Sequence, residues 1–232
     1  MREIVFDTET TGFSPDEGDR LVEIGAVELV GGMPSGRTLQ LYVNPERPMP
    51  PGAFAVHGLS DAFLADKPRF GEVADAILEF FGEAERIVAH NADFDFAFLN
   101  FELERCGRAA ICHSRKVDTV AMARRRFPGA KNSLDALCVR YGIDRSHRTL
   151  HGALLDAELL AQVYIELNGG RQIGLELASA GVVPGAVITA TPSARPVRMP
   201  RTFAATPTEL ARHAEFLAGI TDPLWNEGAA RA

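Results

Sequence analysis

Cysteine is scarce in this chain, and so is any excess of positive charge. Cys106, Cys112 and Cys138 are odd in number, widely spaced and free of any C-x-x-C pair. That excludes a disulfide framework or a cysteine-built zinc site and suits a reducing compartment. Lys and Arg total 24 against 31 Asp and Glu, a net charge of −7, which excludes a protein that coats nucleic acid through a broad basic surface. Any contact with DNA is then local and weak, or arranged by a partner. No uninterrupted apolar run is long enough to span a bilayer. The amino terminus reaches Asp7 too soon for the apolar stretch of a signal peptide, so a cytoplasmic location is expected. Hydrophobic residues are plentiful, 46% of 232, enough for one sizeable core and a short appendage.

Residues 1–168 read as one compact domain. Arg2–Thr8 and Leu21–Val30 have strand character, and Gly31, Gly32 and Gly36 supply a turn into a third strand, Thr38–Val43. A proline-rich loop is expected from Pro45 to about Pro68. Helices are predicted over Gly71–Phe81, Asp93–Arg105, Thr119–Phe127, Ser133–Tyr141 and Gly152–Leu167, with a short apolar strand at Arg86–Ala89. On Asp93–Arg105 the apolar residues Phe94, Phe98 and Phe101 return at four- and three-residue steps, with Leu103 two further on. Three strands in hairpin order followed by alternating strand and helices predict an α/β sheet of mixed direction.

Composition changes after Leu167. Residues 169–201 hold five glycines, four prolines and four arginines but one acid, Glu176, and read as a flexible linker. Order is expected again in 202–232. Thr206-Pro207-Thr208-Glu209 carries an N-cap threonine, a proline at the first helical position and a glutamate at the third. The helix it opens is expected to run to about Ile220, presenting Leu210, Ala214, Phe216, Leu217 and Ile220. So short a helix is marginal alone in water and needs a surface to pack against.

Carboxylates stand out against this background. Asp7 and Glu9 lie two apart in a strand, so both point to one face from the middle of an apolar run. Adjacent like charges there are costly unless a cation or proton lies between them. Taken alone, a strand-end Asp-x-Glu is more often surface. Asp156 falls on one helical stripe with Leu159, Leu160, Val163 and Leu167, where an acid requires a partner or a cap. His151 precedes it by five residues, about 140° of helical rotation, which places the histidine in the turn before the helix, off the Asp156 face. Asp95 follows the Arg86–Ala89 strand, within His90-Asn91-Ala92-Asp93-Phe94-Asp95-Phe96, at the strand-to-helix junction where α/β folds place site residues. Asp93 reads as a first-turn acid favoured by the helix dipole.

Asp7-Thr8-Glu9-Thr10-Thr11-Gly12, His90-Asn91-Ala92-Asp93-Phe94-Asp95 and His151-Gly152-Ala153-Leu154-Leu155-Asp156 together resemble, in order and separation, the three motifs of the DEDDh 3′–5′ exonucleases. Ala55-Val56-His57-Gly58-Leu59, Asn132-Ser133-Leu134-Asp135-Ala136-Leu137, Arg148-Thr149-Leu150-His151 and the tail around Phe203–Trp225 are similar to the branch that proofreads for bacterial DNA polymerase III. The resemblance implies a ribonuclease-H-like fold, a mixed sheet flanked by helices. It implies that Asp7, Glu9, Asp95 and Asp156 bind two divalent ions, Mg²⁺ or Mn²⁺, with Asp7 bridging, and that His151 is the general base. Hard cations with oxygen ligands would neutralise the acids, and a pair could clamp the attacking and leaving oxygens of an in-line displacement. Asp7, Glu9 and Asp156 would then also meet the substrate. A histidine with a reference pKa of about 6.5 suits a base working near neutral pH. The resemblance also places the His57 loop near the terminal nucleotide, where His57 reads either as a substrate contact or as a structural residue. Gly52 stands five positions earlier where an acid is common, which leaves that position a backbone contact only. Arg124-Arg125-Arg126 reads as a solvated face.

The partners implied are a DNA 3′ end, the polymerase subunit through 202–232 with Leu224 and Trp225 in the apolar surface, and a sliding clamp through 172–177. In that peptide Gln172, Leu175 and Leu177 fill the positions of a clamp-binding motif, with Leu177 where an aromatic is commoner; those leucines also suit packing at the end of the last helix. A stand-alone exonuclease acting on RNA or single-stranded DNA ends is the alternative, and the linker and capped tail argue against it. A non-catalytic binding module has no use for five costly polar residues.

Overall fold

The computed structural model describes residues 1–146, 150–170 and 204–220. They fall in two units, Met1–Leu177 and Ala178–Ala232. The expected clamp peptide, most of the linker, and Phe203, Leu224 and Trp225 lie outside the described residues.

The first unit is built on five strands: β1 (Arg2–Thr10), β2 (Leu21–Val30), β3 (Met33–Tyr42), β4 (Arg86–Ala89) and β5 (Lys116–Asp118), in the order β3-β2-β1-β4-β5. β1 to β3 form an antiparallel meander, and β4 and β5 run parallel to β1. The sheet is therefore mixed, as expected. β3 begins five residues earlier than the sequence suggested. Gly31 and Gly32 both have positive φ, 60° and 77°, which closes a two-residue hairpin of the kind that matches strand twist, so pairing resumes at once.

Alternation along β1 sorts the core into two layers. Ile4 and Phe6 pack with α3 (Phe70–Phe81) and α4 (Ala92–Arg105), while Val5 on the other face packs with α7 (Ala153–Leu167). Phe6 meets Phe81 and Phe96 edge-on at centroid distances of 5.2 and 5.7 Å, contacts worth about 1 kcal/mol each beyond burial. On α4 the buried apolar stripe is Ala92, Phe96, Phe98, Leu99 and Leu103; Phe94 and Phe101, expected to share it, are half-buried. α5 (Thr119–Arg126) and α6 (Leu134–Tyr141) complete a third apolar cluster with α7.

The proline-rich stretch is more ordered than its composition suggested. It contains α1 (Pro51–His57) and α2 (Asp61–Leu64). Pro51 opens α1 with φ already set for a helix, and Gly58 closes it at φ 72°. In the second unit α8 (Pro207–Ala218) carries the expected capping box, with Thr206 N donating to Glu209 Oε2 at 2.8 Å and Glu209 N donating to Thr206 Oγ1 at 3.3 Å. It stops two residues short of Ile220, and none of its residues is buried.

Candidate active site

One cleft gathers the acids. It is lined by Asp7, Thr8, Glu9, His90, Phe94, Asp95, Ser133, Leu134, Asp135, His151 and Asp156. It sits at the carboxyl ends of β1 and β4, where an α/β sheet leaves a crevice. Helices α4, α6 and α7 all start beside it, so the positive ends of three helix dipoles face the carboxylates.

Local sequence explains each placement. Asp7 and Glu9 alternate with Thr8 along β1, and the register with β2 shifts immediately after Glu9, a bulge of the sort that re-aims side chains beside active sites. Asn91 takes φ 64°, a left-handed conformation that Asn tolerates well. The chain thereby turns from β4 directly into α4 and puts Asp95 in the first turn. Thr8 Oγ1 donates to Asp95 Oδ1 at 2.7 Å, joining strand to helix. Asp156 lies in the first turn of α7, and Gly152, its N-cap, offers no side chain.

Burial makes the cluster electrostatically expensive. Asp95 and Asp156 are each 2% exposed and Glu9 7%; Asp7 is half-buried. Burial pushes the Asp95 carboxyl up to about 7, against the lowering effect of the Thr8 hydroxyl and backbone N–H groups. Burial also lowers His90, whose Nδ1 lies 2.8 Å from Thr119 Oγ1. Glu9, His151 and Asp156 each offer an atom within 4.8 Å of the others'. Three nearly dry carboxylates lining one cleft, Glu9, Asp95 and Asp156, with Asp95 held toward its protonated form, are a donor set that a hard cation would relieve.

His151 stands one residue before the α7 N-cap. It is exposed, its Nδ1 is 3.2 Å from Asp156 Oδ2, and its backbone N donates to Val56 O at 3.2 Å. That last bond ties it to the end of α1. His57 follows Val56, buried, with Nδ1 accepting from Leu59 N at 3.0 Å. Burial pulls its pKa down, offset by the Thr10 backbone and reinforced by His151. Neither His57 nor Gly52 lines the cleft, and Gly52 is exposed with open space where a Cβ would stand.

Gly25 went unremarked in the sequence. It pairs with Asp7 across β1 and β2, and a Cβ there would fall 2.1 Å from Leu154 N and 2.2 Å from Ala153 C. The start of α7 therefore rests on bare backbone, which brings Asp156 down to the Asp7–Glu9 face. A glycine inside an otherwise apolar strand is the available signal for such an approach.

Comparison with known proteins identifies the family. The Exonuclease family model matches residues 4–164. The chain is 47% identical over 223 residues to the DNA polymerase III subunit epsilon of Rickettsia felis, covering 95% of this chain and 97% of the relative. It is 49% identical over 177 residues to the Escherichia coli K12 protein of the same name, covering 73% and 72%. The solved structure of Exonuclease X in complex with 5′-overhanging duplex DNA superposes with a TM-score of 0.55 at 30% identity, covering 72% of this chain and 89% of that one. The chain belongs to the Exonuclease family, and within it to the DNA polymerase III epsilon subunits.

Proposed function

We propose that this 3′–5′ exonuclease proofreads for a bacterial replicative polymerase, removing mismatched 3′-terminal nucleotides from DNA. The observation that carries the reading is the approach of Glu9, His151 and Asp156 to a common point, with Asp95 buried beside them. Asp7, Glu9, Asp95 and Asp156 hold two divalent ions, Mg²⁺ or Mn²⁺. Such a pair supplies charge neutralisation for the attacking and leaving oxygens of a phosphodiester.

The chain's own groups do the rest. With its Nδ1 turned to Asp156, His151 takes the proton of the attacking water at Nε2, and the carboxylate steadies the imidazolium that results. The bond from His151 N to Val56 O keeps this base next to the His57 loop. His57 and the Gly52 backbone are assigned to the terminal nucleotide, on the family resemblance. Fraying of a mismatched end supplies the single-stranded terminus for the cleft.

A net charge of −7 gives little general affinity for DNA, so delivery by a partner is part of the function. The tail 202–232 binds the polymerase subunit, and 172–177 adds a weaker contact to the sliding clamp. The match to the Rickettsia relative extends over 95% of the chain and supports a shared role for the tail.

The test is degradation of a 5′-labelled DNA primer, paired or mismatched at its 3′ end, by wild type and Asp7→Ala with Mg²⁺ or Mn²⁺. Faster shortening of the mismatched primer, absent in Asp7→Ala, is expected. Cleavage confined to an RNA primer would replace proofreading with RNA end trimming, and cleavage by Asp7→Ala would remove the assigned site.

A further inference from the structure

We infer that Glu23 is a positioning residue for this site, one that sets the start of α7 and so fixes both Asp156 and His151; the inference rests on the hydrolytic reading above. Glu23 lies on β2 directly opposite Glu9 and is 2% exposed. A second buried acid facing Glu9 raises the charge cost of the face, so its presence needs a compensating contact. Both of its oxygens have one. Oε2 accepts from Ala153 N at 3.2 Å, and Oε1 accepts from Gln40 Nε2 at 2.9 Å.

Ala153 is the first residue of α7, and its N–H is among those that a helix cannot satisfy internally. An N-cap side chain reaches the N–H of the second or third helical residue, not this first one, and Gly152 has no side chain in any case. The cap is supplied from the sheet instead. Gly25, two residues along β2 on the same face, leaves room for the Ala153–Leu154 backbone. Glu23 and Gly25 thus act together, the glycine admitting the helix start and the glutamate holding it. Asp156 sits three residues beyond the held N–H and His151 two before it. Gln40, itself bonded to Tyr42 Oη at 2.9 Å, keeps the carboxylate from swinging away.

Reach and charge make different demands on this position. Gln retains the length and an acceptor for Ala153 N but loses the charge; Asp retains the charge but is one methylene short. In Glu23→Asp and Glu23→Ala, kcat on single-stranded DNA should fall about 10- to 100-fold, the cost of a misplacement near 1 Å, with KM changed less than about twofold. Glu23→Gln should restore kcat to within about threefold of wild type. Amide hydrogen exchange supplies a readout independent of catalysis: the Ala153 and Leu154 amides should exchange faster in the Asp and Ala variants, while amides of β1 and β4 do not change. Should Glu23→Ala fail to fold, the Asp and Gln variants carry the same comparison. Wild-type kcat in Glu23→Asp, loss in Glu23→Gln, or unchanged exchange at Ala153 in Glu23→Asp would each overturn the inference. Absence of cleavage by the wild-type protein would instead overturn the hydrolytic reading and leave the exchange result standing.

Discussion

His151 Nδ1 lies 3.2 Å from Asp156 Oδ2, although Asp156 is fixed in the first turn of α7 and His151 precedes its N-cap. One partner is 3% exposed at its side chain and the other 49%. The pair therefore joins a buried acid to a solvent-facing imidazole. His151 also comes as near to Glu9 as a shared ligand would, so ligand and base are distinct, measurable roles.

Substitution separates them. His151→Ala should retain Mn²⁺ affinity within a few-fold and lose roughly two to four orders of magnitude in kcat, the usual worth of a general base. Asp156→Asn should lose both. Isothermal titration with Mn²⁺ beside single-turnover cleavage makes the comparison, and equal loss of Mn²⁺ affinity in the two variants would make His151 a ligand.

Asp95 links the site to stability. Its carboxyl moves from 3.8 to about 7 on folding, chiefly through burial. A raised carboxyl means the folded state holds the extra proton, so stability of the metal-free protein falls as pH rises from about 4 to about 7 and then levels. Asp95→Asn removes that penalty and keeps an acceptor for Thr8. In EDTA at pH 8 it should be more stable than wild type by ~1–3 kcal/mol, with the advantage gone near pH 4, while cleavage is abolished. Thermal unfolding at the two pH values is the check; an equal difference at both would separate the stability effect from ionisation.

Gly25→Ala tests the seat of α7. Its Cβ has no room beside the Leu154 backbone, so the helix start must move. The expected cost is about 1–3 kcal/mol, accompanied by a fall in kcat of on the order of 100-fold. Gly71→Ala is the matched control, because its Cβ would stand 3.5 Å from the Cys106 Cβ inside α3. That variant should gain about 0.4–1 kcal/mol and cleave normally. Chemical denaturation with parallel assays distinguishes the two glycines, and a neutral Gly25→Ala would mean α7 is seated some other way.

The sequence was most readable where chemistry depends on short spacing. Asp7 and Glu9 share a face because strands alternate, and Asp156 was marked as a lone acid in an apolar helical stripe. The long helices were found to within one residue, although on α4 the buried stripe includes Phe96 and Leu99 in place of the expected Phe94 and Phe101. β5 has three residues and no pattern to read. α1 was hidden by its prolines, although Pro51 and Gly58 bracket it with ordinary start and stop signals. Gly25 and Glu23 were missed for a different reason: their partners Leu154 and Ala153 are far away in the chain, and only tertiary pairing gives either residue a role. The Arg20–Glu102 pair, buried with Nε to Oε1 at 2.6 Å, was illegible for the same cause.

The tail offers the last test. α8 has a complete capping box yet buries none of its residues, and Leu210, Phe216 and Ile220 are 57, 67 and 39% exposed. Within the helix Leu210, Ala214, Phe216 and Leu217 fall within less than half the circumference, an apolar stripe on a helix too short to be stable alone, and Ile220 follows just beyond its end. Such a stripe is favoured only if something covers it, and aromatic residues in it tend to dominate the binding energy. Deleting 202–232 should leave hydrolysis of free single-stranded DNA within about twofold of wild type and abolish co-purification with the polymerase subunit. Leu210→Asp with Phe216→Asp should weaken that association by a factor on the order of 100 or more, since two apolar anchors are each worth ~1.5–3 kcal/mol. Replacing Gln172 and Leu175 with alanine should spare the polymerase contact and loosen only the clamp-bound assembly, where a weak peptide gains from effective concentration. Size-exclusion chromatography with the polymerase subunit, then with clamp and primed DNA added, reads both contacts. Retained polymerase binding by the truncated chain would move the interface onto the catalytic unit.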